Sequence, residues 1–301
     1  MGLMLSLGLA FFLEFMDDSI KSSSDVVRHL NLPLLGMIPA YDEEDAEEEG
    51  AAKISATHPH AVISESYRQV RTNLFFAAPA GELKSLLITS SSAGCGKTTT
   101  AVNLGITLAN EGRRVLLVDG NFRRAALNRL FPADGPNRGL SNVLVGQATA
   151  ADVIRPSGIA GLEVMDSGPA PPSPADLLSN QRMRDFLERQ KEYYDHIIID
   201  GAAALVVDDA RVLAGLVDGT IVVVRAGGTA RGIVQRLIRE LKTGHIRIVG
   251  ILLNAVQPRR GGYFEKAYRS YYDYINEESA KALGGAVDDG AKERPGGGGS
   301  A

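Results

Sequence analysis

The stretch LLITSSSAGCGKTTTAVNLG, residues 86–105, decides the fold of this chain. An apolar run typical of a buried strand leads into a glycine-containing turn, and a helix is expected to begin near Lys97. Glycines let the backbone curl tightly enough to aim N–H groups inward, and the helix N-terminus adds positive dipole character. The pattern therefore predicts a phosphate-binding loop that includes Gly94, Cys95, Gly96, Lys97 and Thr98.

The side chains of this loop indicate nucleotide chemistry. Lys97 is placed to meet the β and γ phosphates, and the Thr98 hydroxyl to bind Mg²⁺. The strict loop pattern has a glycine where this chain has Ser91, and a ligand-free glycine turn before a helix is the alternative. The run Gly-Lys-Thr-Thr between a strand and a helix favours the phosphate site.

Short apolar runs and helical stretches alternate along the chain from this loop onward. Strands are predicted for SLLITS, RVLLVD, HIIIDG, TIVVVRA and IVGILLNAV, and helices for residues 97–111, 182–192 and 229–242. Strands that are apolar along their whole length are typical of a parallel sheet covered on both faces. The sequence therefore predicts an α/β fold of the P-loop NTPase type, with a mostly parallel sheet, helices on both faces and a flexible tyrosine-rich C-terminal tail.

Three polar residues follow predicted strands. Asp119 ends RVLLVD and Asp200 ends HIIID, and ligands of open α/β sheets bind beyond the carboxyl ends of the strands. Two aspartates facing a triphosphate suit Mg²⁺ coordination or activation of an attacking group, although either alone would also serve as a helix cap. Asn254, near the end of IVGILLNAV, is placed to read a base edge, and a turn asparagine would give the same pattern.

Composition places the chain among globular proteins. Its 301 residues are 45% hydrophobic and 23% charged, and the net charge of −4 gives no sign of a general nucleic-acid partner. The single cysteine, Cys95, excludes an intrachain disulfide and fits a reducing compartment. Its place beside a helix N-terminus and Lys97 suits a redox-sensitive thiol, and an incidental small residue is the simpler interpretation.

The N-terminal residues differ from the rest. Residues 1–16, MGLMLSLGLAFFLEFM, are apolar apart from Ser6 and Glu14. Sixteen helical residues span roughly 24 Å, which is short of the ~30 Å hydrocarbon core, so a buried helix, an interfacial anchor and the end of a membrane span all remain open. In the segment 17–60, Ser24 or Asp25 is expected to cap a short helix, and an acidic linker follows.

The C-terminal residues concentrate tyrosine. Residues 259–283 hold five of the nine tyrosines in the chain, and residues 284–301 are rich in glycine and predicted to be disordered. Tyr268, Tyr271 and Tyr272 recur at helical spacing, so an amphipathic helix packed on the domain is one interpretation of the cluster. The other two interpretations of this tyrosine cluster are a binding surface and a phosphorylation substrate.

Taken together, the segments of residues 61–258 and their flanks resemble the bacterial tyrosine kinases of capsule and exopolysaccharide export, which are P-loop proteins unrelated to eukaryotic kinases. Besides the loop, the resemblance rests on five segments: LPLLGMIPA, SESYRQVRTNLFFA, DGNFRRAALNRLF, GPAPPSPADLLSN and YDHIIIDGAAALVVDDA. It covers nearly the whole chain. Residues 1–16 then resemble the end of a second membrane span, residues 17–60 a juxtamembrane segment and residues 61–258 a cytoplasmic kinase domain at the inner membrane.

The resemblance implies a site and an activity. ATP with Mg²⁺ is expected on Ala93, Gly94, Cys95, Gly96, Lys97, Thr98, Thr99 and Asn254. The metal ligands are expected to be Thr98, Asp119 and Asp200, with Asp119 also acting as base toward a tyrosine hydroxyl. Lys97 and Arg123 complete the expected catalytic set. The implied activity is autophosphorylation of tyrosine, and it regulates polysaccharide polymerisation and export.

The resemblance also implies partners. Glu65, Arg68 and Arg71 reproduce a spacing that mediates ring-like self-association in the family and puts three charges on one helical face, although a solvated surface helix would look the same. A neighbouring subunit would present the acceptors Tyr263, Tyr268, Tyr271, Tyr272 and Tyr274. Further expected partners are a membrane-spanning activator or co-polymerase region, the polysaccharide polymerase and export machinery, and a tyrosine phosphatase.

Two departures from the family pattern keep alternatives open. The motif Asp-x-Asp-x-Arg has Asn121 at its second acid, and Gly201-Ala202-Ala203 replaces Thr-Pro-Pro. Asparagine ligates through oxygen but adds no negative charge and takes no proton. A catalytically weakened ATP-binding scaffold is therefore the first alternative. A partition-type ATPase is the second, although such proteins carry an extra lysine where this chain has Ser92.

Overall fold

The computed structural model describes residues 18–41, 52–79, 81–133 and 135–257. The predicted end of a membrane span, the acidic run and all the residues from 258 onward therefore lie outside the described residues. Within these ranges, no helix is both long enough and apolar enough to cross a membrane.

Eight strands form one sheet in the described chain. In sequence order they are β1 Leu34–Pro39, β2 Ser85–Ser90, β3 Val115–Asp119, β4 Ile154–Pro156, β5 Leu162–Met165, β6 His196–Ala203, β7 Gly219–Arg225 and β8 Ile248–Val256. Their spatial order is β1-β8-β7-β2-β6-β3-β5-β4, and every neighbouring pair is parallel except β4 and β5. The predicted mostly parallel sheet is confirmed, and β1 brings part of the segment 17–60 into it.

Helices connect most of the strands. The described helices are α1 Ser23–Leu30, α2 Ile54–Thr57, α3 Val62–Phe76, α4 Lys97–Ala109, α5 Leu127–Leu130, α6 Leu140–Val145, α7 Pro174–Ser179, α8 Gln181–Tyr193, α9 Asp209–Ala214 and α10 Arg231–Thr243. A short 3₁₀ turn covers Ala150–Asp152. The helices predicted over 97–111, 182–192 and 229–242 are confirmed as α4, α8 and α10.

The core lies on both sides of the central strands. Every residue of β2 and β3 is buried, and successive side chains of a strand point to opposite faces. Both faces of the sheet must therefore be covered, as the continuous apolar runs predict. Because α4 begins directly after the loop at the end of β2 and is buried along most of its length, the predicted phosphate-binding loop is anchored at both ends to buried elements of the core.

The start of α1 differs from the prediction. The Ser22 hydroxyl accepts a hydrogen bond from the Asp25 N–H at 3.3 Å, and the Asp25 carboxylate accepts one from the Ser22 N–H at 3.0 Å. This reciprocal pair is a capping box with Ser22 as the N-cap. The expectation that Ser24 or Asp25 caps the helix is wrong, because the serine three positions before the aspartate is the one that this geometry selects.

Candidate active site

The predicted phosphate-binding loop lies at the carboxyl edge of the sheet. It connects the end of β2 to the start of α4, and β2 runs between β6 and β7. Gly94 and Gly96 have φ angles of 74° and 89°, which favour glycine. A Cβ at Gly96 would lie 2.1 Å from Nδ2 of Asn254, so any other residue here would have to displace that amide as well as adopt a conformation that favours glycine.

The ends of β7 and β8 brace this loop. The Asn254 side chain donates from Nδ2 to the Cys95 carbonyl at 2.9 Å. Arg225 donates from Nη1 to the Gly94 carbonyl at 3.4 Å. The predicted contact of Asn254 with a nucleotide base remains a prediction, and what the structure assigns to its amide nitrogen is support of the loop backbone.

Cys95 is enclosed by the loop. Its Sγ lies 3.3 Å from the Ser92 hydroxyl and 3.9 Å from the Thr229 hydroxyl, and the residue is 2% exposed. Burial raises the pKa of the Cys95 thiol, but hydrogen bonds from Ser92, Ser90 and Thr229 lower it by more, so the pKa is below its ordinary value. The enclosure suits a small packing residue, and a redox role stays a prediction.

Lys97 folds back over its own loop. Its Nζ donates to the Ser90 hydroxyl at 3.2 Å and, more weakly, to the Ser92 carbonyl at 3.5 Å. Burial lowers the pKa of the Lys97 ammonium, whereas the carboxylate of Asp200 opposes that shift. Both bonds involve neutral acceptors, so phosphate oxygens would be stronger partners for this ammonium. Ser90 carries no signal in the sequence, because the loop pattern leaves the residue at this position unspecified.

Asp119 and Asp200 lie side by side, because they are paired residues of the neighbouring strands β3 and β6. The Thr98 hydroxyl donates to Asp200 Oδ2 at 2.5 Å. The other oxygen, Oδ1, is buried and has no hydrogen-bond partner among the described residues. Burial, and then the neighbouring Asp119, raise the pKa of Asp200 to about 7. A hydroxyl beside a carboxylate with a free buried oxygen fits Mg²⁺, which prefers oxygen ligands.

Asp119 holds the backbone of the loop that follows β3. Its Oδ1 accepts the Asn121 N–H at 3.1 Å, and its Oδ2 accepts the N–H groups of Ala126 and Leu127 at 2.8 and 3.0 Å. Burial raises the pKa of Asp119, and the three backbone donors oppose that shift. Each carboxylate oxygen has two lone pairs, so acceptor capacity remains for the predicted role as a base.

Arg123 lies in the same loop and pairs with Asp209 at the start of α9. Its Nε donates to Asp209 Oδ2 at 2.8 Å and its Nη2 to Asp209 Oδ1 at 3.4 Å. The Asp209 side chain is 2% exposed and that of Arg123 is 49% exposed. Asp209 is not recognisable from the sequence, because the pair Asp208-Asp209 gives no local signal that one member faces inward. Its partner Arg123 is 86 positions away in the chain.

The three charged residues predicted for self-association lie on α3, as expected. Glu65 pairs with Arg68, whereas Arg71 pairs with Glu111 beyond the end of α4. The Arg71 side chain is only 18% exposed, compared with 36% for Arg68. Two of the three charges therefore face the protein surface together, and the third is turned toward the domain.

The predicted phosphate acceptors cannot be placed, since they lie outside the described residues: Tyr263, Tyr268, Tyr271, Tyr272 and Tyr274. The described part of the chain also contains Tyr67, which is fully buried, and Tyr194, which is 9% exposed and donates to Glu163. The Tyr67 hydroxyl is buried and therefore inaccessible to a second molecule, whereas Tyr193, which precedes Tyr194 in the chain, is 61% exposed.

Known proteins resemble this chain in sequence and structure. A family profile for the CobQ/CobB/MinD/ParA nucleotide binding domain matches residues 86–284. The tyrosine-protein kinase YwqD of Bacillus subtilis is 34% identical over 201 residues, which are 67% of this chain and 84% of that protein. The kinase domain of the Escherichia coli tyrosine kinase ETK superposes with a TM-score of 0.75 at 28% identity, over 81% of this chain and 96% of that one. MinD of Pyrococcus horikoshii, complexed with Mg-ADP, gives a TM-score of 0.50 at 27% identity, over 60% of this chain and 71% of that one.

Proposed function

We propose that this chain, which belongs to the bacterial tyrosine-protein kinases within the CobQ/CobB/MinD/ParA nucleotide-binding family, transfers the γ-phosphoryl group of ATP to tyrosines of a neighbouring copy. Membership confirms the resemblance inferred from the sequence. The observation that carries the proposal is the pairing of Asp119 with Asp200 at the carboxyl edge of the sheet, beside the loop that holds Lys97 and Thr98. This arrangement brings a loop that can bind phosphates, the Lys97 ammonium and two carboxyl groups to one edge of the sheet.

Each of these residues has a step in the proposed reaction. The N–H groups of the loop and of the first turn of α4 bind the phosphates, and Lys97 exchanges its hydroxyl and carbonyl partners for phosphate oxygens. Thr98 and Asp200 would hold Mg²⁺, which when bound neutralises charge on the β and γ phosphates. Asp119 accepts the proton of the tyrosine hydroxyl as the new O–P bond forms and ADP leaves.

The acceptors proposed are the tyrosines of residues 259–283, presented by a neighbour in a ring-like oligomer. The surface pair Glu65 and Arg68 supports an interface on α3, since both charges can exchange their mutual contact for contacts with a second copy. Each phosphate would add roughly −1.5 to −2 charges to a crowded segment, which would favour release from the ring. We place this cycle at the cytoplasmic face of the bacterial inner membrane, with the polysaccharide co-polymerase, export machinery and a tyrosine phosphatase as partners.

Asn121 supports a second candidate, an ATP-binding scaffold with weak kinase activity. The Asn121 side-chain oxygen accepts the Arg124 N–H at 3.3 Å, so this residue stabilises the turn without adding charge to the site. A partition-type ATPase is the third candidate, and the likeness to MinD favours it only as far as the shared fold.

Incubation of the purified chain with ATP and Mg²⁺ distinguishes the three candidate functions, which are kinase, scaffold and ATPase. The kinase proposal expects phosphotyrosine in the wild type and none in Lys97→Met, measured by phosphotyrosine immunoblotting and mass spectrometry. Nucleotide binding without phosphotyrosine would contradict the kinase and support the scaffold. Steady phosphate release without phosphotyrosine would support the ATPase. Asn121→Asp should raise the rate of phosphotyrosine formation if the missing acid limits catalysis.

A further inference from the structure

We propose that Asp209 is a positioning residue for the phosphoryl transfer, because it fixes the guanidinium of Arg123 in the loop that follows β3. The inference rests on the proposed kinase function and assigns a role to a residue of α9. The family motif draws attention to Arg123 alone, since the two residues are 86 positions apart in the chain.

The two-point contact fixes a plane as well as a position. A carboxylate that accepts from both Nε and Nη2 holds a guanidinium in one orientation, whereas a single contact would leave it free to rotate. Asp209 is buried at the start of α9, so its own position is set by the packing of that helix. The exposed arginine is therefore held by a rigid buried partner.

The contact leaves hydrogen-bonding capacity on Arg123. A guanidinium has five N–H donors, and Asp209 accepts two of them. The remaining three belong to a side chain that is 49% exposed, four residues after Asp119. An anionic phosphoryl group is the chemical class that these donors fit, since arginine binds phosphate oxygens through the same fork of donors.

Other contacts hold the loop itself. Its start is packed tightly, because a Cβ at Gly120 would lie 2.7 Å from Ile199 Cγ2, and its middle is fixed by Phe122, which is 4% exposed. Its end is held by the N–H groups that Asp119 accepts. Loss of the ion pair should therefore release the guanidinium of Arg123 without unfolding the loop.

The test compares Asp209→Asn with Asp208→Asn in the full-length chain. Asp208 is the adjacent, exposed aspartate and pairs with Arg211 in the same helical turn, so its variant is a matched control. Asp209→Asn should lower kcat for phosphotyrosine formation by about 10- to 100-fold, as expected when a catalytic group loses its orientation. The KM of Asp209→Asn for ATP should stay within about 2-fold of the wild-type value. Asp209→Glu should have a higher kcat than Asp209→Asn, because it keeps the carboxylate. Asp208→Asn should match the wild type.

A double variant separates positioning from simple stability. If Asp209 acts through Arg123, then Arg123→Gln combined with Asp209→Asn should be no slower than Arg123→Gln alone. Effects that multiply, or a kcat for Asp209→Asn within about 2-fold of the wild type at equal melting temperature, would overturn the proposal.

A second readout does not depend on kinase activity. The Arg123 Nε–H should give a protected NMR signal in the wild type that is lost in Asp209→Asn and kept in Asp208→Asn. If the wild-type chain makes no phosphotyrosine but this signal behaves as expected, then the proposed function fails while the contact between the two residues stands. Absence of the protected signal from the wild type overturns the positioning role itself.

Discussion

Replacing Asp200 with asparagine should make the nucleotide-free protein more stable at pH 8, although it removes a side chain that the proposed reaction needs. Asp200 is 1% exposed, and burial together with Asp119 raises its pKa from the ordinary 3.8 to about 7. A carboxyl group whose pKa is raised on folding stabilises the protein only while it is protonated. Its contribution is complete below pH 3.8 and is lost as the pH rises through 7.

The size of the effect follows from the two pKa values. Between 3.8 and about 7 lie about three pH units, and each is equivalent to 1.36 kcal/mol, so the ionised side chain costs the folded state up to about 4 kcal/mol at pH 8. For a domain of this size that corresponds to roughly 10 °C in melting temperature. Asparagine keeps an oxygen for the Thr98 hydroxyl and cannot ionise.

Urea unfolding at pH 5 to 8.5, in EDTA and without nucleotide, measures this difference. The free energy of unfolding of Asp200→Asn should exceed that of the wild type by an amount that grows with pH. Asp218→Asn is the control, because burial of Asp218 is outweighed by its hydrogen bonds to Lys191 and Ser85, which hold its pKa below the ordinary value. That variant should lose a constant amount above pH 5. A difference in the free energy of unfolding between Asp200→Asn and the wild type that does not change with pH would refute the reasoning. Excess Mg²⁺ should reduce this difference, because it stabilises the wild type.

Two further changes test the local geometry. Gly96→Ala should weaken binding of a fluorescent ATP analogue far more than Gly94→Ala, because a Cβ at Gly96 would lie 2.1 Å from Asn254 Nδ2, whereas a Cβ at Gly94 meets nothing within 4 Å. Equal losses would show that only the backbone conformation matters. Ser22→Ala should lower the free energy of unfolding by about 1 kcal/mol through loss of the N-cap, and a smaller loss than for Ser24→Ala would contradict Ser22 as the cap.

The sequence predicts the arrangement of the site because parallel strands bring their carboxyl ends to one edge. Asp119 and Asp200 each follow an apolar run, and the pairing of β3 with β6 makes them neighbours. The same logic predicts the loop after β2, since the order strand, glycine turn and helix is local in the chain. Both features depend on periodicity and on chain direction, which a sequence displays directly.

Side-chain partners from distant segments are not visible in this way. Arg71 pairs with Glu111 and Arg123 with Asp209, and in each case the sequence shows a charge without its partner. Asn254 looks like a base-reading residue because it lies near the end of a strand, but its hydrogen bond to Cys95 exists only because the loop and β8 approach each other. Partner choice depends on packing, which the spacing of residues does not encode.

The charge balance of the site gives a physical reason for the asparagine at position 121. Burial and Asp119 already hold the pKa of Asp200 near 7, so a third carboxylate on the same edge would raise the electrostatic cost of the nucleotide-free site. Asn121 provides the turn with an oxygen acceptor for Arg124 and adds no charge. Restoring the acid should therefore destabilise the nucleotide-free protein at pH 8, and Mg²⁺ with ATP should reverse that loss. We therefore expect Asn121 to reduce repulsion in the resting site, and to limit catalysis only if the proposed proton transfer to Asp119 needs a second acid.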